Sequence, residues 1–238
     1  MTARPGVPGP DTPAAVRAAA AAAEDLEALA AVHRTCTACP GLATSRTHVV
    51  PGVVPPRPRL LVVGEAPGAT EDATGLPFVG RSGQLLDALL AEQQVTRAEV
   101  GVLNTVACRP PGNRPPTRSE TATCWPWTER RLALVSELAV TGPAVSGRVE
   151  SGPGVPGPVV LAPVVLALGL SATRWFLGPT ALGPVRGRVH HVDGARVVPT
   201  FHPSAALRGG PAGEPRRLLA ADLALALSLD APPDPARS

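Results

Sequence analysis

Cys36, Cys39, Cys108 and Cys124 are the only cysteines in the chain, and their spacing constrains the fold more than any other feature. The first two form a C-x-x-C pair, and fifteen residues separate the second two. Between the pairs runs Val62-Val63-Gly64-Glu65-Ala66-Pro67-Gly68, an apolar strand entering a tight turn. A soft-metal site is therefore expected to wrap around an α/β domain. Four thiolates suit either zinc or an iron–sulfur cluster. A compact zinc ribbon has pairs of matching short spacing. A ligand set split across some seventy residues tilts toward iron–sulfur, with a zinc knuckle still open. A secreted disulfide framework is disfavoured by the C-x-x-C spacing, and no apolar signal core is visible near the N-terminus.

At 238 residues the chain can build one sizeable core. All 22 basic residues are Arg, because the chain has no Lys. Ala, Gly, Pro and Arg dominate, as a GC-rich coding sequence would produce, so the Arg content alone is weak evidence for a nucleic-acid surface. The net charge of +3 permits a polyanionic partner without requiring one. The uncharged stretch from Ser151 to Thr173 is interrupted by four prolines, which argues for a linker and a buried strand rather than a membrane span. A cytoplasmic monomer is expected.

Residues 1–13 are expected to form a disordered tail, 14–230 one domain, and 231–238 a second tail. Ala14 to His33 has the composition of one Ala-rich packing helix. Apolar runs at Arg59–Val63, Val100–Val106, Val164–Leu168 and Arg196–Thr200 are read as strands. Helical periodicity marks Arg81–Gln94, with Leu85, Leu86, Leu89 and Leu90 on one face. It also marks Arg118–Leu138 with a break at Pro126, a short helix at Ser171–Leu177, and a last helix at Pro215–Leu229. The Gly/Pro-rich stretch 141–163 is read as a flexible insertion. Strands alternating with helices predict a parallel sheet covered on both faces, with ligands bound beyond the carboxyl ends of its strands.

Gly64-Glu65, Asn104 and His202 each fall at or just past a strand end, so one pocket can collect all three. Gly64 to Asp72 is neither a Walker loop nor a dinucleotide fingerprint. Its glycines let backbone amides approach a ligand. Phe78 sits in a Gly/Pro-bracketed loop, either as a core plug or as a platform for an extruded base. Asn104 ends an apolar strand, where its amide serves either a turn or a ligand. His202 is a candidate donor to a developing oxyanion. His190 and His191 belong to an expected surface hairpin.

Five segments in order then carry a resemblance: Gly64-Glu65-Ala66-Pro67-Gly68, Glu71-Asp72, Thr74 to Gly80, Asn104 to Pro111, and Thr200-Phe201-His202-Pro203-Ser204. Together with the cysteine spacing they resemble the family-four uracil-DNA glycosylases, over about Cys36 to Leu229. The resemblance implies a three-layer α/β/α sandwich with a central four-stranded parallel sheet. It implies a [4Fe-4S] cluster on Cys36, Cys39, Cys108 and Cys124, and uracil-containing DNA as partner. Phe78 would stack on the extruded uracil, the Asn104 amide would pair with O4 and N3–H, and His202 would donate to O2. Gly64 to Ala66 would give backbone contacts, Glu65 would stand near the attacking water, and Glu71 at the rim would help reject the thymine methyl. Ser204 and Arg208 would contact DNA, with Ala206 and Leu207 as a wedge. Ala66 stands where better-known glycosylase families carry a water-activating Asp. Relatives that trap uracil-DNA covalently carry a basic, His-containing insertion after the Asn strand. Arg109 to Glu120 has no His, so hydrolysis is expected. A non-catalytic iron–sulfur DNA-binding module and a zinc-stabilised α/β protein stay open as alternatives.

Overall fold

The structure, a computed structural model, describes residues 9–141, 163–210 and 212–230. Thr12 caps the first helix, α1 (Pro13–Ala22), by accepting the Ala15 amide at 3.2 Å. Pro13 fills the first turn, where a missing amide loses nothing. The helix expected over 14–33 is in fact two. Ala23 turns extended, and the Asp25 carboxylate starts α2 (Leu26–Arg34) by accepting the Ala28 amide at 2.7 Å. Capping outweighs continued helix at an Asp, whose short side chain competes for backbone amides. Within the stretch 1–13 expected as a tail, the Pro10 carbonyl accepts the Thr37 amide at 2.9 Å. Residues 1–8, nearly all of the expected insertion 141–163, and the tail 231–238 lie outside the described residues.

A short helix, α3 (Pro40–Ala43), follows the C-x-x-C pair. Then come β1 (Leu60–Gly64), α4 (Ala69–Thr74), α5 (Arg81–Glu92), β2 (Val100–Asn104) and α6 (Arg118–Thr141). The second half runs β3 (Val164–Leu168), α7 (Gly169–Leu177), α8 (Leu182–Val185), β4 (His190–Val192), β5 (Ala195–Thr200), α9 (Pro203–Gly209) and α10 (Glu214–Ser228). The strands lie in the order β2-β1-β3-β5-β4. The first four are mutually parallel, and β4 adds an antiparallel edge strand through the hairpin containing His190 and His191. The sheet thus has five strands, one more than expected.

Every residue of β1, β2 and β3 is buried, which is why these strands read as continuous apolar runs rather than alternating ones. Leu60, Val62, Val102, Leu166 and Val198 face Leu86, Leu89 and Leu90 of α5 and Leu219 and Leu223 of α10. On the other side, Leu61, Val63, Leu103, Val165 and Val197 pack with Ala172 and Phe176 of α7 and with Trp125 and Leu132 of α6. A third cluster joins α1, α2 and α6 through Val16, Leu29, Trp127 and Leu134. Helix α6 passes through Pro126 without the expected break. Proline in a helix interior costs about 3 kcal/mol. Its neighbours explain the tolerance, because Trp125 packs into the sheet-side cluster and fully buried Trp127 into the helical one. Truncating a buried Trp costs about 3–5 kcal/mol, enough to hold the helix on course.

Candidate active site and cysteine cavity

A cavity of ≈ 550 Å³ opens at the carboxyl ends of the parallel strands. Glu65 and Ala66 after β1, Asn104 at the end of β2, Leu168 at the end of β3 with Gly169 to Ser171 after it, and His202 and Ser204 after β5 all line it. Glu71 and Phe78 line it too. The polar groups expected from three strand ends therefore do converge. The ends of β1 and β2 are clamped together: the Thr105 amide donates to the Gly64 carbonyl at 2.9 Å, and the Thr105 hydroxyl to the Glu65 carbonyl at 2.8 Å.

Gly64, the last residue of β1, lies behind the lining rather than in it. A Cβ there would stand 2.6 Å from the Phe78 ring and would also collide with the Asn104 amide oxygen. Only glycine lets these two side chains meet over the strand end. Asn104 is 6 % exposed, and neither its Nδ2 nor its Oδ1 has a hydrogen-bond partner. A buried polar atom left unpaired costs about 1–3 kcal/mol. An amide with both ends free in a cavity is built for a ligand that supplies one acceptor and one donor.

Phe78 is held in the left-handed region, at φ 52°, a conformation that disfavours a side chain by about 1–2 kcal/mol. Arg97 enforces it by donating to the Pro77 carbonyl at 2.8 Å and, more weakly, to the Phe78 carbonyl at 3.4 Å. The Phe78 carbonyl also lies against Gly83 so closely that a Cβ would not fit there. Glu71 supports the same loop. One carboxylate oxygen accepts the Val79 and Gly80 amides at 3.0 and 2.8 Å, and the other accepts Gly68 at 3.1 Å. Both its oxygens are therefore taken up by backbone. The neighbouring Asp72 accepts the Thr47 and His48 amides at 2.9 and 3.2 Å, fastening the segment after the first cysteines to α4.

His202 caps α9. Its Nδ1 accepts the Ser204 amide at 3.1 Å and lies 2.9 Å from the Ser204 hydroxyl. A backbone amide can only donate, so the ring proton of the neutral imidazole sits on Nε2. Burial, then the nearby Arg208 charge, push the His202 pKa down to about 4, against an opposing pull from Glu71. The ring is thus a neutral donor at physiological pH. Gly169, at φ +80°, fits against His202, and a Cβ there would stand 3.1 Å from that of His202. Arg208 is exposed on α9 and Leu207 is half-buried, and neither lines the cavity. Ala206 is 1 % exposed and packs into the core under α9, so it cannot serve in a wedge.

All four cysteines line a second, smaller cavity of ≈ 20 Å³, with His33, Arg46 and Glu120. Among the described residues no three His, Cys, Asp or Glu side chains are gathered as they would be round a single metal ion. Burial, followed by the charges of Cys36 and Glu120, pushes Cys39 up to about 11, and burial pushes Cys108 up to about 12. Cys124 is raised still further, by burial and then by Cys108. Cys39, Cys108 and Cys124 cannot ionise together without a cation among them, and a metal group supplies one. The donor set thus fits such a group. An ion pair spans the gap between the two cavities. Arg114 on the first donates to Glu120 on the second at 2.7 and 2.9 Å, and this holds the Glu120 carboxyl down to about 2.

Sequence reasoning missed the supports. Arg97 and Gly169 stand outside the strand-end pattern, Asp72 stood in one of the five resembling segments with no role assigned, and His33 fell within the expected packing helix. A glycine directly after an apolar strand was the one available signal, for Gly169.

The model of the uracil DNA glycosylase superfamily matches residues 51–143. The type-4 uracil-DNA glycosylase of Thermotoga maritima is 36% identical over 198 residues, covering 82% of this chain and 89% of that protein. The type-4 uracil-DNA glycosylase of Pyrobaculum aerophilum is 35% identical over 193 residues, 77% of this chain and 85% of that protein. A type-5 uracil-DNA glycosylase of Mycobacterium leprae is 36% identical over a shorter span, 43% of this chain and 58% of that protein.

Proposed function

Because the chain belongs to the type-4 uracil-DNA glycosylase family, we propose that its strand-end cavity takes uracil extruded from DNA and that the protein hydrolyses the N-glycosidic bond. The observation that carries this reading is the Asn104 amide, buried in the cavity with both ends unpaired. Uracil offers an acceptor at O4 and a donor at N3, the complement of one carboxamide. Cytosine offers the opposite pair. Extrusion costs a few kcal/mol, and the pre-strained Phe78 ring, packed over Gly64, provides a stacking face that offsets part of it.

As the bond breaks, charge collects on uracil O2. The Nε2–H of neutral His202 is the donor suited to that charge, fixed in its tautomer by Ser204 and free of a proton that would need to be lost first. Glu65 lines the cavity and is the acid assigned to the attacking water. Glu71 excludes the thymine methyl only indirectly, by setting the 79–80 loop, since its oxygens are occupied. Ser204, Leu207 and Arg208 on or beside α9 are assigned to the DNA flanking the flipped base.

Cys36, Cys39, Cys108 and Cys124 are assigned to a [4Fe-4S] cluster. Their shared cavity and the raised thiols of Cys39, Cys108 and Cys124 support a thiolate-bound metal group, and the split ligand spacing favours iron–sulfur over a zinc ribbon. When bound, it would tie the three segments together and contribute its binding energy to folding. The test is single-turnover uracil release from a defined oligonucleotide, with alkali cleavage at the abasic site, alongside iron and zinc analysis of anaerobically prepared protein. No release sinks the glycosylase reading. Stoichiometric zinc without iron sinks the cluster.

A further inference from the structure

Beside the cysteines lies a buried cation that neither the base-reading cavity nor the ligand set explains. Arg131 is 3 % exposed. Its guanidinium donates to the Trp127 carbonyl at 3.1 Å and to His33 Nδ1 at 3.2 Å. Among the described residues no carboxylate pairs with it, and the one group that favours its charge is Cys124. A charge so placed is expensive unless an anion stands nearby.

His33 carries the contact onward. It is 3 % exposed and stacks on Trp127, with ring centroids 4.5 Å apart and planes 16° apart. A guanidinium has no acceptor, so His33 Nδ1 must accept and its proton must sit on Nε2. That Nε2 lies 3.7 Å from Cys124 Sγ, within range of an N–H···S hydrogen bond. Cys124, Trp127 and Arg131 fall at i, i+3 and i+7, so one face of α6 presents all three toward α2.

We propose that Arg131 and His33 form a hydrogen-bond relay to Cys124 Sγ that sets the reduction potential and lifetime of the metal group Cys124 ligates. The relay rests on the iron–sulfur reading given above. Its logic is that each element offers what the next can take. Arg131 lacks an anion. His33 cannot donate from Nδ1, so it donates from Nε2. Cys124 has one backbone donor, Ala107, and His33 Nε2 stands where a second would. Hydrogen bonds to cluster sulfurs favour the more reduced, more negative state. Outer partners of this kind alter metal affinity by about 10–100-fold when removed.

The experiment compares wild type with His33→Phe, His33→Gln, Arg131→Met and Leu134→Ala, each loaded anaerobically. Leu134 belongs to the same helical cluster and bonds to none of the relay, so it reports packing alone. The readouts are iron per chain, midpoint potential at an electrode, and iron loss to a chelator. His33→Phe keeps the stacking on Trp127 and deletes both ring nitrogens. It should lose iron about 10–100-fold faster. Its midpoint should fall by about tenfold in equilibrium constant, or about 59 mV for one electron. Arg131→Met should move the same way. His33→Gln retains a carboxamide donor and should lie between His33→Phe and wild type. Leu134→Ala should leave the potential where it is. A wild-type chain without iron overturns the cluster reading and the relay with it. Iron-loaded His33→Phe and Arg131→Met with wild-type potential and iron loss overturn the relay alone, as does an equal shift in Leu134→Ala.

Discussion

The strand-end cavity and the cysteine cavity both bury polar groups, and they treat them in opposite ways. At the strand ends Asn104 keeps both amide atoms unpaired. At the cysteines, His33 and Arg131 pair with each other, with the backbone and with a thiol. An unpaired amide is a standing loss in the free protein, recovered only when a ligand arrives. Raised thiols are a permanent demand for a cation. The first arrangement suits a visitor and the second a resident. If that contrast is right, changes at the strand ends should abolish base release with the metal still in place.

The largest effect should come from Asn104→Asp. An ionised Asp offers only acceptors, so it repels uracil O4 and can accept from cytosine N4. A site built on hydrogen bonds rejects a mismatched analogue by about four to five orders of magnitude. Uracil release should fall by about that factor, with slow cytosine release appearing. Iron per chain should match wild type. Matched oligonucleotides carrying uracil or cytosine at one position check this in single-turnover cleavage. Undiminished uracil release would mean that the unpaired amide reads nothing.

His202→Ala should follow, with release slowed about a hundred- to a thousand-fold, the usual loss for one oxyanion donor. Binding of uracil-containing DNA should change much less. The same variant tests the depressed pKa. Unfolded His takes a proton below about pH 6.5, whereas folded His202 does so only near 4. Its share of stability is therefore complete above about 6.5, is lost as pH falls toward 4, and declines no further below that. Between pH 7 and 4.5 wild type should lose more stability than His202→Ala, as denaturant titrations will show. Equal losses would place the ring in water.

Much of this was legible in the chain. The strands appear as uninterrupted apolar runs because both sheet faces are covered, and covered faces leave no alternation to misread. Asn104 and His202 stood out because a polar residue ending such a run is anomalous. The supports were illegible for a physical reason. Glu71 acts on amides eight and nine residues away, and Arg97 on carbonyls nineteen and twenty residues away. Arg131 meets His33 across 98 residues. Local pattern carries no trace of a partner that distant. The division of 14–33 was readable in principle, since Asp25 is a good helix cap, but the surrounding alanines masked it.

A smaller effect is expected at Glu71→Gln, which probes how far the strand-end site depends on its loops. One oxygen remains to accept Val79 and Gly80, while the new amide group meets the Gly68 N–H donor to donor. One unsatisfied pair costs about 1–3 kcal/mol, and for a chain of this size 1 kcal/mol lowers Tm by about 2–4 °C. Calorimetry should show such a drop, with release slowed by about tenfold through the displaced Phe78 platform. An unchanged Tm would show that the staple is idle.

The smallest effect, and the sharpest test of where the cavity ends, belongs to Arg208→Gln. Arg208 is exposed on α9, outside the lining, yet its charge helps depress His202. Two roles are therefore separable in one variant. As a phosphate contact, its loss should weaken DNA binding about equally for uracil-containing and ordinary sequences. It should also reduce the slope of log affinity against log salt by about one. As a neighbour of His202, its loss should let the imidazole pKa rise from about 4, visible in the titration of the His202 ring carbons by NMR. Release from bound DNA at neutral pH should be nearly unchanged, because the ring stays neutral there. A salt slope equal to wild type would remove α9 from the DNA surface. A large loss of single-turnover release with normal binding would mean that Arg208 reaches the reacting base, and the boundary between reading the base and holding the backbone would have to be redrawn.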